Sequence, residues 1–230
     1  MKCILMTGLV FFTGGSEVVR ALLKIRIFSG SWEVLQLMST MMIDIWGLKA
    51  CFYDQIREYW PLNRILKLEL ANIQKVLGQA VSIEGPVLDL GCGTGTLSRI
   101  LSSRLDITGI DKSRQMLNRC RKKSYHYLVQ ANAQCLPLRK NCYNLVVAVG
   151  LLEYFRNPDF LLSAVHDVIR PGGYFLFTIS PSTWFTCLRK AGGIPLYYHS
   201  TDAIIEKAEM ACIASEKSSS QIVLLFQKRR

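Results

Sequence analysis

Between Lys49 and Gln79 apolar side chains recur at three- and four-residue spacings: Leu62, Ile65, Leu66, Leu70, Ile73, Val76 and Leu77. That period predicts helix, with Gly78 as a stop and Pro61 dividing the region into two helices. After Gly85 the texture changes to short apolar runs, Pro86 to Leu90, Asp106 to Ile110, Tyr125 to Gln130, Asn144 to Gly150 and Tyr174 to Ile179. Runs of this kind mark parallel strands covered on both faces. Amphipathic stretches at Thr96 to Arg104, Ser113 to Lys123 and Pro158 to Ile169 lie between them, so the unit is a repeated βα and the expected fold is a doubly wound α/β sheet. A further helix, Thr201 to Cys212, precedes strands near Ile213 to Lys217 and Gln221 to Gln227. Only the Ser218 to Ser220 turn separates these two, too little for a crossover helix, so they are expected to pair as a hairpin.

The amino-terminal fifty residues read differently. Cys3 to Ser16 carries no charge and follows a single Lys2, which resembles the start of a signal peptide. The run is short of the roughly 20 apolar residues that a bilayer requires. Gly14 and Gly15 end it, and no small-x-small cleavage site follows, so secretion is disfavoured. From Ser16 to Phe28, apolar Val18, Val19, Leu22, Leu23, Ile25 and Ile27 mingle with Arg20, Lys24 and Arg26. A helix packed on the protein or on a partner subunit is the favoured reading, and a basic helix lying on a membrane is the second. A start at Met38, Met41 or Met42 is a third. The expected division is a hydrophobic helical extension over residues 1–50 and one catalytic-sized domain over residues 51–230.

Composition narrows the class. Half of the 230 residues are hydrophobic and 20% are charged, which excludes a disordered polyelectrolyte and the fibrous Gly- or Pro-rich classes. Lys and Arg total 28 against 17 acidic residues, a formal net charge of +11 that brings nucleic acid and anionic membranes into consideration as partners. The eight cysteines form no C-x-x-C pair, which argues against a zinc site or a disulfide framework and fits reduced thiols in a cytoplasmic protein.

The most informative segment is Val87-Leu88-Asp89-Leu90-Gly91-Cys92-Gly93-Thr94-Gly95-Thr96-Leu97, with three alternate glycines where the first strand should turn into its helix. Residues lacking a β-carbon let backbone approach a ligand closely there. A dinucleotide turn spaces its glycines G-x-G-x-x-G, whereas here the third glycine comes one position early, which disfavours a pyrophosphate. The next strand, Ile107-Thr108-Gly109-Ile110, ends in Asp111, twenty positions after Gly91. At that offset a carboxylate reaches a ribose diol, and capping of the next helix is the plainer alternative, with Ser113 as a rival cap.

Together with Ala131-Asn132-Ala133-Gln134-Cys135-Leu136-Pro137-Leu138, Val149-Gly150-Leu151-Leu152-Glu153-Tyr154 and Val168-Ile169-Arg170-Pro171-Gly172-Gly173, these blocks resemble the class I S-adenosylmethionine-dependent methyltransferases. The likeness is to the small-molecule branch that includes quinone-biosynthesis enzymes, and it runs from about Phe52 to Arg230. The resemblance implies a Rossmann-like seven-stranded sheet in the order 3-2-1-4-5-7-6 with strand 7 antiparallel. It implies S-adenosylmethionine as cofactor, with Asp89 and the backbone of Gly91, Cys92, Gly93, Thr94 and Gly95 around the methionine moiety. Asp111 falls on the ribose with Lys112 beside it, Asn132 and Ala133 at the adenine, and Gly150 and Leu151 next to the sulfonium. Pro171 to Gly173 would form the turn into strand 5.

Two positions depart from the family pattern. Asn132 stands where Asp is usual, and its amide oxygen still accepts a hydrogen bond. Tyr154 stands where His is frequent, which removes a potential base. Of the three histidines, His126 and His166 read as structural, while His199 lies in the connection after strand 5 that often shapes the acceptor pocket in the family; it is the candidate catalytic base. Pro181, Trp184, Phe185, Gly192 and Gly193 in the same connection, with Phe52, Tyr53, Tyr59 and Trp60, suggest an aromatic-lined site for a small lipid-like or quinone-like acceptor. No metal is demanded. The competing readings are a nucleic-acid substrate, motivated by Lys112, Arg114, Arg119, Arg121, Lys122 and Lys123, and a non-catalytic cofactor-binding protein.

Overall fold

The computed structural model of the protein describes residues 54–55, 57–60, 62–80, 83–101, 104–183 and 196–230, all within the unit Asp44–Arg230. The expected extension over residues 1–50 lies outside the described residues, as do Phe52, Tyr53, Pro61, Trp184, Phe185, Gly192 and Gly193.

Helix α1 (Leu62–Leu77) follows the predicted period and buries Leu66, Ile73, Val76 and Leu77. Strand β1 (Val87–Leu90) leads through the glycine turn into a 3₁₀ turn, Thr96–Arg99. The sequence predicted a longer helix there. The Ser98 hydroxyl donates to Gly95 O at 2.8 Å, and such side-chain bonds to backbone compete with α-helical pairing. Strand β2 (Ile107–Asp111) is followed by α2 (Arg114–Cys120), whose N-cap is Ser113. Next come β3 (Tyr127–Gln130), β4 (Tyr143–Ala148), a second 3₁₀ turn (Leu152–Tyr154) and α3 (Asp159–Val168). Strand β5 (Ile169–Ile179) carries a bulge, because Tyr143 pairs Ile169 and Leu145 pairs Tyr174: two steps along β4 match five along β5. The predicted Pro171 to Gly173 turn is that bulge. Helix α4 (Thr201–Lys207) ends earlier than its sequence predicts, since Glu209 adopts a φ of 51° and turns the chain into β6 (Ala211–Lys217). Strand β7 (Ile222–Gln227) closes the hairpin.

The seven strands form one sheet in the order β3-β2-β1-β4-β5-β7-β6. Strand β7 is antiparallel to both neighbours, β5 and β6, and the pairs among β1 to β5 are parallel. Side chains alternate along β1, β2, β4, β5 and β7 between two cores. Leu88, Leu90, Val146, Phe175, Phe177 and Phe226 meet α3 and α4 on one face. Val87, Leu145, Val147, Leu176 and Leu225 meet α1 on the other. The chain leaves β1 toward β2 and β3 and then returns on the opposite side as β4, so the carboxyl ends of β1 and β4 border the crevice where open α/β sheets bind ligands. No helix among the described residues is long and apolar enough to cross a membrane.

Candidate functional site

The glycine turn is stitched to the neighbouring strand through its backbone. Gly91 N and Cys92 N both donate to Ile110 O, at 2.8 and 2.9 Å. Gly93 N donates to Asp111 Oδ2 at 2.9 Å, and Ser113 N donates to Asp111 Oδ1 at 2.8 Å. Asp111 thus joins the turn after β1 to the start of α2. The capping of α2 itself falls to Ser113, whose Oγ accepts from Met116 N at 3.4 Å.

The three glycines are required for different physical reasons. A β-carbon on Gly91 would stand 2.9 Å from Leu151 Cδ1, across the gap between the β1 and β4 turns. On Gly95, which has a φ of +81°, it would stand 2.8 Å from Cys120 Sγ and 3.0 Å from both Lys123 Cγ and Tyr125 Cε2. On Gly93 its nearest neighbour would be Gly91 O at 4.0 Å, so that side of the turn is open. Gly93 is held to glycine by its φ of +55° and faces open space, whereas Gly91 and Gly95 are also held by the protein's own packing.

Asp89 and Thr94, each 2% exposed, are among the buried polar groups of the turn. The Tyr125 hydroxyl donates to Asp89 Oδ2. Burial, with the nearby Asp111 carboxylate adding to it and the Tyr125 bond opposing, pushes Asp89 up from 3.8 to about 7. Cys92 and Cys120 pack together with Leu117. Their mutual hydrogen bond, burial and the Asp89 charge raise the Cys92 thiol well above its usual range, so it is an inert thiol rather than a nucleophile. Thr94 Oγ1 donates to Asp54 Oδ1 at 2.6 Å, and Arg99 Nη2 lies 3.1 Å from Glu58 Oε1. The segment before α1 is thereby tied to the glycine turn at two points.

The Asp89 shift has a consequence for stability. Folding favours its neutral form, so its contribution is complete below the unfolded value of 3.8 and is lost as pH rises through about 7. At 1.36 kcal/mol per pKa unit the loss is on the order of 4 kcal/mol. Asp89→Asn keeps an acceptor for Tyr125 without the charge, so its melting temperature should gain on the wild type between pH 5 and pH 8. Melting curves that stay parallel across that range would contradict the assignment.

Asn132, Gly150 and Leu151 follow the carboxyl ends of β3 and β4. Asn132 is exposed, and its Oδ1 accepts from Gln134 N at 3.0 Å. Ala133 is half-buried against the α3 core. Lys112 is exposed next to Asp111, and its carbonyl accepts from Gln130 Nε2 at 3.1 Å. Gly150 N donates to Thr178 Oγ1 at 2.8 Å, and a β-carbon on Gly150 would meet nothing closer than Glu153 Oε1 at 4.0 Å.

The 3₁₀ turn that follows gathers the segment after β5. Tyr197 N donates to Glu153 O at 2.7 Å, and the Ser180 hydroxyl donates to the buried Glu153 carboxylate. His199 Nε2 lies 3.1 Å from Leu152 O. A carbonyl only accepts, so Nε2 carries the hydrogen of this bond. His199 is thus held beside the turn that contains Gly150 and Leu151. His126 belongs elsewhere: its Nδ1 accepts from Ile107 N at 3.3 Å, at the amino end of β2, opposite the crevice. His166 lies within α3, and its carbonyl accepts from Lys228 Nζ at 2.7 Å. Tyr59 and Trp60 are 73% and 75% exposed and stand at the surface.

The crevice therefore brings together Gly91 to Gly95, Asp111, Gly150, Leu151 and His199. The sequence did not point to Asp54, nor to Tyr125 as the partner of Asp89; both pairs join residues far apart in the chain, and neither residue sits in a motif. No group of three or more potential metal ligands occurs among the described residues.

The methyltransferase domain family matches residues 88–177. A ubiquinone biosynthesis O-methyltransferase of Bordetella avium is 28% identical over 185 residues, covering 74% of this chain and 76% of that protein. The ubiquinone/menaquinone biosynthesis C-methyltransferase UbiE of Wigglesworthia glossinidia brevipalpis is 27% identical over 188 residues, covering 76% and 73%. Among solved structures, magnesium protoporphyrin IX methyltransferase from Synechocystis PCC 6803, determined with bound SAH, superposes with a TM-score of 0.65 at 16% identity over 82% of this chain and 98% of that one. At that identity the superposition speaks to the fold.

Proposed function

The chain is a class I S-adenosylmethionine-dependent methyltransferase, and from that premise we propose that it methylates a small apolar or aromatic acceptor of quinone-like chemistry. The observation that carries the acceptor class is that ubiquinone-biosynthesis O- and C-methyltransferases align with about three-quarters of the chain. A nucleic-acid substrate is not favoured, since the relatives that align with three-quarters of the chain are quinone-biosynthesis enzymes.

The turn after β1 fits the cofactor: Gly93 and Gly150 leave open the space that β-carbons would fill. Asp111 is held at the end of β2 by backbone amides from both turns, which fixes its carboxylate where the hydroxyls of a ribose would lie. Asn132 Oδ1 keeps a lone pair for an exocyclic amine, with Ala133 against the base and Lys112 flanking Asp111. Asp89 acts through the turn, by holding Tyr125 against it. Bound S-adenosylmethionine supplies a methyl group already activated on a sulfonium. What the protein adds is alignment of the acceptor, exclusion of water and removal of a proton. The Nδ1 lone pair of His199 takes that proton from an acceptor hydroxyl as its oxygen becomes methylated, while the Nε2 bond to Leu152 O keeps the ring in its tautomer.

Asp111→Ala should weaken cofactor affinity by about 1 to 3 kcal/mol, the worth of hydrogen bonds to a charged acceptor, and unchanged affinity in calorimetry would remove the ribose assignment. The acceptor class is tested with labelled cofactor and purified protein, offered phenols and hydroquinones bearing apolar tails in parallel with total RNA. Label in the organic-soluble phenols supports the reading. Label confined to RNA overturns it.

A further inference from the structure

Helix α1 turns one side to the core, where Leu66, Ile73, Val76 and Leu77 are buried, and the other side outward. At about 100° per residue, Trp60, Arg64, Lys67, Leu68, Ala71 and Lys75 fall within one outward arc of roughly a third of a turn, and each of them is exposed. Trp60 belongs to this stripe because Asn63 N donates to Tyr59 O at 2.9 Å, so the chain is already helical where it enters α1.

The chemistry of the stripe differs from that of an ordinary solvated face, which mixes both signs of charge. No acid falls on it. Glu69 lies on the opposite side of the helix, paired with Arg57 at 2.6 Å, and Lys75 at the far end is paired with Glu216 at 2.8 Å. Arg64 and Lys67 have no ion pair or hydrogen bond among the described residues. Around these two cations stand large apolar side chains in water: Trp60 is 75% exposed and Leu68 is 63% exposed, with Tyr59 beside them. Rings that are apolar with one polar edge, next to unpaired cations, match the boundary layer of an anionic bilayer, where the rings settle among the headgroups and the cations meet lipid phosphates. An RNA backbone would satisfy the cations and leave Leu68 in water, so the lipid surface is the better match.

We propose that the outward face of α1 docks on an anionic lipid bilayer, with Tyr59, Trp60 and Leu68 at the headgroup boundary and Arg64 and Lys67 on lipid phosphates. The contact lies on the surface and crosses nothing. Its use follows from position. Asp54 and Glu58 tie the start of α1 to Thr94 and Arg99, so the aromatic pair stands at the crevice end of the helix. The inference deepens the apolar-acceptor reading and rests on it for its purpose: an acceptor with an apolar tail dissolves in lipid, and an enzyme seated there meets it without drawing it through water.

The test is cosedimentation of the full chain with vesicles of phosphatidylcholine alone and of phosphatidylcholine mixed with phosphatidylglycerol. Wild type should bind the anionic vesicles at least about tenfold more tightly than the neutral ones, and that preference should fade in high salt. Arg64→Glu/Lys67→Glu should weaken the anionic binding by at least about tenfold while keeping the wild-type affinity for S-adenosylhomocysteine, which separates lost docking from a lost fold. Trp60→Ala/Leu68→Ser should weaken it as well. Arg121→Glu/Lys122→Glu makes the same change of charge at the exposed end of α2 and should bind within about twofold of wild type, because the two faces are distinct. Equal binding to both kinds of vesicle overturns the proposal, as does full binding by Arg64→Glu/Lys67→Glu or a loss confined to the α2 variant. So does wild type that is retained by RNA and ignores the vesicles, or a solution dimer that Trp60→Ala/Leu68→Ser breaks, which would give the face to a second copy. No acceptor enters this assay, so its outcome stands apart from whether a phenol is methylated.

Discussion

Gly95→Val is expected to abolish cofactor binding and to lower the melting temperature by roughly 10 °C. A β-carbon at this position stands 2.8 Å from Cys120 Sγ and 3.0 Å from Tyr125 Cε2, and Cys120 is a fully buried neighbour with no room to withdraw. The backbone adds to the clash, because a φ of +81° is adopted by non-glycine residues only at a cost of about 1 to 2 kcal/mol, more for a β-branched side chain. Overpacking contributes about 1 to 3 kcal/mol, which makes the total a few kcal/mol against a typical stability of about 5 to 15. For a chain of this size each kcal/mol is worth about 2 to 4 °C. Relief of the clash requires the turn to lift from α2, which pulls Gly93 N from Asp111 and disassembles the crevice even where the fold survives. Gly93→Ala is the informative contrast. Its β-carbon meets only Gly91 O at 4.0 Å, so that variant carries the cost of a φ of +55°, about 1 to 2 kcal/mol, without the clash, and should melt well above Gly95→Val yet bind the cofactor poorly. Thermal melts and calorimetry on the two variants check both statements, and a Gly95→Val protein that binds S-adenosylhomocysteine normally would contradict them.

His199→Ala is expected to lower kcat by about 10²- to 10³-fold, the usual contribution of a general base, with the KM for S-adenosylmethionine within about twofold of wild type. The separation follows from placement. His199 bonds Leu152 O through Nε2, just past the Gly150 turn, while the proposed ribose contact of the cofactor lies at Asp111 on the far side of the crevice. Removing the imidazole deletes a proton acceptor and leaves that contact untouched. Added imidazole should restore part of the rate in the alanine variant, which a purely structural histidine would not permit. An unchanged kcat with a methylated phenol as product would show that the proton leaves to water and that His199 serves packing.

Much of the architecture was legible in the residues because strands covered on both faces have no polar side to interrupt them. The runs that became β1, β2, β4 and β5 are of this kind, and Leu88, Val146 and Phe175 on one face alternate with Val87, Leu145 and Leu176 on the other. The hairpin of β6 and β7 was legible from spacing alone. The end of α4 was not, since nothing in the local pattern shows that Glu209 takes a left-handed conformation there. The helix expected after the glycine turn contracted to a 3₁₀ turn for a similarly local reason, the Ser98 bond to Gly95 O.

Within the site, the motifs located the turns, and the partners of those turns were hidden. Asp89 was read as a residue of the methionine end, and the partner of its carboxylate is Tyr125, 36 positions later. Thr94 looked like a spacer between glycines, and its hydroxyl reaches Asp54, 40 positions earlier. Such pairs arise from how the sheet brings distant segments together, and single-residue patterns carry no trace of them. His199 was singled out from its place after β5, but its tautomer depends on Leu152 O, a backbone atom that no sequence feature identifies.

The central claim is that the turn after β1 and the carboxylate at the end of β2 together receive the adenosyl cofactor. Titration of S-adenosylhomocysteine into the full-length protein near neutral pH tests it most directly. Saturable binding of one molecule per chain is the predicted result, and an absence of binding at millimolar ligand would contradict it.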